Sequence, residues 1–200
     1  TIVATAGMAS TTYVQFLKGA MLIVFSLVLV IAVCYRGFST KPDQGGKVPF
    51  HEYATLAASD AGGPLTVADP AYRVLEVQEV AAAKGAFARL AKDGQETWWQ
   101  VKRSDGAVRL HEIQSVVATR QGQTLINGAA ASETNQLRQV GNIVKLRGQT
   151  DVPEGSVGPL ELLSAMADKE TKVRGWKDAR ITDRDGNQVT LYYPVEMAGN

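Results

Sequence analysis

Thiol chemistry is nearly missing from this 200-residue chain, whose single cysteine, Cys34, lies inside a run of apolar residues. Outside that run no disulfide, no Cys-based metal site and no Cys nucleophile can form. Histidine is almost as scarce: His51 and His111 are the only two, each followed by a glutamate. Neither His-Glu pair continues to a second histidine at zinc-protease spacing, and a zinc site would have to take most of its ligands from carboxylates. No metal and no cofactor is expected. The formal net charge of +1 supplies neither the basic field that nucleic acid requires nor an acidic field for cationic partners. Phosphate-cradling glycine loops, dinucleotide fingerprints and haem-attachment motifs are absent, as are Asn-x-Ser/Thr sequons. Gly155-Ser156-Val157-Gly158 lacks the spacing of a nucleophile elbow. Together these absences argue against a standard enzyme.

Charge is also missing between Lys18 and Arg36, and this gap is the most informative. Of the seventeen residues from Gly19 to Tyr35, ten are Leu, Ile, Val or Phe. As a helix they cover about 26 Å, close to the ~30 Å hydrocarbon core of a bilayer. Their side chains favour insertion by about 3 to 6 kcal/mol. A core helix of a soluble protein would carry a polar stripe, and this run has none. A signal peptide is the other alternative, but its apolar region is usually shorter, and Ala4-Thr5-Ala6 precedes the run instead of following it. The expectation is a retained transmembrane helix over residues 18–36, preceded by an uncharged segment, 1–17. Gly7 and Thr11 stand four apart, the small-xxx-small spacing that lets helices approach closely. With Gly19 and Ser26 they are the candidate membrane-packing positions. Residues 1–17 are read first as a partly ordered tail on the membrane surface; the alternative is a segment that lies against neighbouring transmembrane helices.

Orientation is contested by two rules. Lys18 precedes the span, whereas Arg36, Lys41 and Lys47 follow it, which by the positive-inside rule leaves the domain in the cytoplasm. Bacterial single-anchor chains, however, generally export the domain that follows. The expectation is a single-pass protein of a bacterial inner membrane with its domain on the periplasmic side.

Residues 37–48, rich in Gly, Pro and Ser, are expected to be a flexible linker, and 49–200 a soluble α+β domain. Pro49 and the stripe Phe50, Tyr53, Leu56 suggest a helix ending at Gly62-Gly63. Asp69-Pro70 starts a second helix, to about Ala83 and, after a break near Gly85, to Gly94; Val74, Val77 and Val80 fit helical spacing, although "YRVLEVQEV" fits a strand equally. Beyond Gly94 the period becomes two. Trp99, Val101, Val108 and Leu110 flank an Asp105-Gly106 turn, a hairpin signature, and Ile113 falls on the wrong parity. Short strands follow, with turns at Gln121-Gly122 and Asn127-Gly128, then a short helix over "SETNQLRQV" and a strand over "NIVKLRG". Pro159, Leu160, Leu163 and Met166 mark an amphipathic helix, and Asp185-Gly186-Asn187 turns a second hairpin whose Val189, Leu191, Tyr193 and Val195 share a face. The two hairpins resemble each other, by duplication or by the shared chemistry of Asp-Gly turns. The domain should be an antiparallel sheet covered by two or three helices.

Trp98 and Trp99 are adjacent on a strand and must point to opposite faces, as must Tyr192 and Tyr193. Either a partly covered second face hides both members of each pair, or one of each faces outward as a protein-contact anchor. These four are the candidate partner-binding residues; Trp176 is expected in the core, and Asp105, Asp183 and Asp185 in turns. The expected function is a non-enzymatic accessory or assembly subunit whose partners are the lipid bilayer and integral membrane proteins of a larger complex, without nucleic acid. The alternatives are an anchored enzyme or small-ligand receptor of unfamiliar type, and a pilin-like filament subunit.

Overall fold

The computed structural model describes residues 2–39, 41, 47–61, 63–104, 106–139, 141–150 and 156–199, the side chains of 2–12, 36, 38, 39 and 156 excepted. Parts of the expected linker, together with Asp105, Gly62 and Gly155, lie outside the described residues. Helix α1 (Ile2–Arg36) is continuous over 35 residues. Its stretch Tyr13–Tyr35, 23 residues, is long and apolar enough to cross a membrane, and none of its most apolar window is buried. Phe16 is 71% and Phe25 65% exposed, on different sides of the helix. A soluble core helix would cover such side chains.

After α1 come β1 (Phe38–Ser39), β2 (Thr55–Ser59), β3 (Thr66–Val67), β4 (Arg73–Val80), β5 (Gly85–Lys92), β6 (Gln95–Ser104) and β7 (Ala107–Glu112). Then follow β8 (Gln114–Ala118), β9 (Thr124–Ile126), β10 (Ala129–Ala130), β11 (Asn142–Lys145), β12 (Ser156–Val157), α2 (Pro159–Met166), β13 (Lys172–Thr182) and β14 (Gln188–Ala198). Two antiparallel six-stranded sheets result, in the orders β3-β2-β7-β6-β5-β4 and β10-β9-β8-β14-β13-β11, and β1 pairs with β12. The first sheet curls until β3 lies alongside β4. Its concave face encloses one core: Leu65, Ala86, Ala88, Leu90, Trp99, Val101, Val108 and Leu110. Its convex face, with Phe87 and Trp98, packs on Val117, Ala179, Val189, Leu191 and Tyr193 of the second sheet. Ile113 stands between β7 and β8, where the chain passes from one sheet to the other, and is buried in this second core. Its odd parity is that crossing.

The architecture is mostly sheet and broadly compatible with α+β, but the expected covering helices are corrected. Among the described residues the domain has one α-helix, the eight-residue α2. Residues 50–54 are irregular and 55–59 form β2. The ambiguous stretch after Asp69 is β4, with a register shift between Val74 and Glu76. That irregularity flips the side-chain parity, placing Val74 against the first core and Val80 in the second, so neither clean period shows in the sequence. Ala-rich β5 is buried on both faces, and its small Ala86 and Ala88 fit the inside of a tightly curled sheet. Its turn into β6, Asp93-Gly94, has φ of 50° and 80° at the two residues, the paired left-handed geometry that an Asp-Gly hairpin supplies. Over the described residues 132–139 the helix expected at 132–140 does not form, because Asn135 Nδ2 donates to the carbonyls of Ile126, Ala129 and Ala130, each at 3.0 Å, and ties the segment to the β9–β10 hairpin.

Both hairpins, the Asn127-Gly128 turn and the helix at Pro159 stand where expected. The expected stripe of that helix does not face the core: Leu160 and Leu163 are exposed, and Ala165 is the buried residue. With one tryptophan in each core, we expect Trp98→Ala and Trp99→Ala each to lower the unfolding free energy by about 3 to 5 kcal/mol, measured by urea denaturation of the detergent-solubilised chain.

Candidate contact surfaces

Of the four aromatic candidates, Trp98, Trp99 and Tyr193 are buried. For the tryptophans the structure takes the first of the two alternatives, in which both members of the pair are covered. Two cores, one on each side of the first sheet, take both. Tyr193 packs edge-on against Phe87, ring centroids 5.4 Å apart, and Tyr192 remains half-buried. Trp176 is half-buried beside the second core, under Tyr53 at 4.9 Å. Ser26 is exposed and no atom approaches the position of a Gly19 Cβ within 4 Å. Both positions are open on α1. Gly7 and Thr11 lie in the same helix, and their surroundings fall outside the described residues.

Two polar junctions hold the parts of the domain together. Arg89, on the convex face of β5, reaches Asp185 at 2.7 Å, Glu76 and Glu96 at 3.3 Å and Asp183 at 3.4 Å. Burial works against its charge, but the bond to Asp185 and the fields of Glu96 and Glu76 outweigh it and hold its pKa above the ordinary value. Asp183 also accepts from Asn187 N–H at 2.8 Å, and Glu76 accepts from Arg184 N–H at 3.1 Å. Asp183 thus serves the local backbone, as expected of a turn aspartate, and together with Asp185 it pins the β13–β14 hairpin to the first sheet through Arg89.

In the second junction Glu112 accepts from Ala54 N–H at 2.9 Å and from Arg138 at 3.0 Å, with His51 Nε2 also at 3.0 Å. The fold therefore joins one histidine to the glutamate that follows the other. Arg138 Nη1 also stands 2.7 Å from His51 Nε2, a nitrogen that accepts from Arg138 in one tautomer and donates to Glu112 in the other. Among the described residues no group of three His, Cys, Asp or Glu is arranged to hold a metal ion. Tyr53, beside this junction, has its pKa pushed up to about 12, chiefly by burial, against Arg138 and with Glu112.

An unpaired backbone edge is the feature that no sequence motif announced. Antiparallel strands bond their two neighbours with alternate residues. The bond from Asp183 N–H to Asn187 O, 3.0 Å, assigns odd-numbered residues to the β13–β14 ladder. The bond from Asn127 N–H to Ser115 O, 2.9 Å, carried across β8, independently assigns even-numbered residues of β14 to β8. Even-numbered residues of β13 therefore turn their backbone groups away from β14. Arg174 spends them on Asn142 of β11, and Thr182 O accepts from Gln78 at 3.0 Å. Between these points Asp178 and Arg180 are exposed, and among the described residues nothing bonds their outward N–H and C=O groups. Pro194 obeys the same phase. It stands two residues beyond Tyr192, the last residue of β14 paired to β8, so its missing N–H faces the side where no ladder exists.

Two concavities lie on the first sheet. A groove of about 570 Å³ is lined by Lys84, Lys102, Arg103, Arg109 and His111, with no carboxylate among the described residues of its wall. Lys102 stands directly opposite Arg109, a like-charge pairing that an anion would relieve. Burial, then Lys102, Arg174 and Arg109, hold the His111 pKa below its ordinary 6.5. A recess of about 310 Å³ is lined by Tyr72, Lys92, Trp99, Glu112 and Arg138, with Lys92 Nζ 4.6 Å above the Tyr72 ring.

Replacing Arg89 by Met strands the Glu76 and Asp183 carboxylates in the interior, and we expect a loss of about 3 to 5 kcal/mol in urea unfolding. A folded-state pKa below the unfolded one gives His111 a stabilising contribution that is complete above pH 6.5 and lost as pH falls through the folded value. NMR titration should show the His111 midpoint below 6.5 and an upward move in Lys102→Gln. Compared with known proteins, the chain matches no family model, no curated protein and no solved structure.

Proposed function

We propose that this protein is a single-pass, membrane-anchored accessory or assembly subunit of a bacterial inner-membrane complex, with its domain on the periplasmic side, acting through protein–protein contacts and not through catalysis. The observation that carries the proposal is the joining, in one chain, of a helix whose apolar side chains are exposed on every side to a sheet domain with an open strand edge. Lipid and neighbouring membrane helices satisfy the first. A strand contributed by a partner satisfies the second, since main-chain hydrogen bonds at an open edge provide affinity and flanking side chains provide selectivity. Asp178 and Arg180 are the selectivity-bearing residues of that edge. Gly19 and Ser26 are the small positions at which a partner helix would approach α1.

The recess beside Tyr72, Lys92 and Trp99 favours a second reading, an anchored receptor for a small ligand. Its cations and aromatic walls suit an anion with an apolar part.

Purification of the full chain from membranes in mild detergent should recover a fixed set of integral membrane proteins. Arg180→Pro removes an outward N–H without touching the β14 ladder, so it should abolish partner recovery while the thermal midpoint stays within a few degrees. Recovery of the wild-type chain alone, as a monomer, refutes the subunit reading. A mature chain that begins after Tyr35 refutes the anchor. Labelling of an introduced Ala107→Cys from outside intact cells tests the side assigned to the domain.

A further inference from the structure

We infer that α2 is a membrane-surface helix whose Leu160 and Leu163 insert between the lipid headgroups at the end of α1. The inference rests on the reading of α1 as a span, and it adds a second contact between this chain and the bilayer. Leu160 and Leu163 are 82% and 68% exposed, in a domain that fully buries Leu90, Leu110 and Leu191. They stand three apart on an α-helix and so share one face. Pro159 at the first turn and the buried Ala165 fix which side of α2 meets the domain and which is left outward.

What covers that outward face follows from the chain path. The apolar stretch of α1 ends at Tyr35. Gly37 closes the helix by donating its N–H to Val33 O at 2.8 Å, with φ of 66°. The next two residues pair in register with β12, Phe38 opposite Val157 and Ser39 opposite Ser156. Val157 is buried, and α2 begins two residues later at Pro159. One strand spacing of ~5 Å and three residues of ~3.4 Å keep Leu160 within about 15 Å of Phe38, within reach of the membrane surface if α1 crosses the bilayer. A cation accompanies the leucines. Arg147 donates to Ser164 Oγ at 2.6 Å on the same helix, so its guanidinium lies where lipid phosphates would be. Two exposed leucines on one face are the apolar contribution of an interfacial helix; the charged residue of α2 itself is Glu161, and the cation beside the helix is supplied by Arg147.

The test uses the full chain in discs of three parts zwitterionic to one part anionic lipid, with Cys34→Ser so that a single introduced thiol carries an environment-sensitive fluorophore. A label at Leu163→Cys should emit at blue-shifted wavelength and be quenched by headgroup-region spin-labelled lipid, whereas a label at Ala107→Cys on the β6–β7 tip should show water-like emission and no quenching. Adding Leu160→Asn should reduce the quenching at position 163. Water-like, unquenched emission at 163 in a chain that stays in the disc through an alkaline wash overturns the inference and leaves the anchor standing. A chain washed out of the disc overturns the anchor and the inference with it. Blue-shifted emission in native membranes but not in pure-lipid discs assigns the leucines to a protein partner and likewise overturns it.

Discussion

The domain depends on burying the first sheet on both of its faces. Sheets with one wet face alternate apolar and polar residues, but β5 carries five consecutive buried residues, from Ala86 to Leu90. Its neighbour β6 sends Trp98 to one core and Trp99 to the other. Each tryptophan fills a space that the other cannot reach, because adjacent residues on a strand diverge. Curling the first sheet until β3 meets β4 encloses one core, and laying the second sheet across its convex side encloses the other. The remainder of the fold, including the crossing at Ile113, serves to bring the second sheet onto that convex face.

Polar groups then set the position of one sheet on the other. Apolar packing alone is non-directional, whereas the Arg89 fork accepts only one placement of Asp183 and Asp185. The hairpin tip is therefore held to β5 by charge at the rim of a core held by Phe87, Trp98 and Tyr193. The Glu112 junction plays the same part at the opposite side, tying the segment before β2 to residue 138. Both junctions use residues that a motif search would set aside as turn aspartates or isolated histidines.

What this arrangement leaves uncovered defines how the protein can engage others. α1 leaves a whole helix surface apolar, β13 leaves backbone groups at Asp178 and Arg180 unspent among the described residues, and α2 leaves two leucines outward. Each is a surface whose satisfaction lies outside the domain. The short ladder between β1 and β12 brings the end of α1 and the start of α2 together, so the linker begins with paired backbone before its undescribed residues.

Local chemistry made some of this legible in the amino-acid sequence. The charge gap from Gly19 to Tyr35 determined an apolar helix, because no folded soluble surface tolerates seventeen such residues in a row. Asp-Gly and Asn-Gly pairs determined hairpin turns, because few residue pairs accept positive φ, and Asp93-Gly94 was readable by the same rule. Burial was not legible. Helical composition in residues 85–92 yields to a sheet interior that selects small and apolar side chains alike, and the irregularity beside Val74 erases the period from which a strand is recognised. The exposure of Leu160, the burial of both tryptophans and the open edge at Asp178 and Arg180 were decided by tertiary structure alone. Each depends on what other segments cover or leave bare, and a residue's neighbours across a sheet lie tens of positions away along the chain.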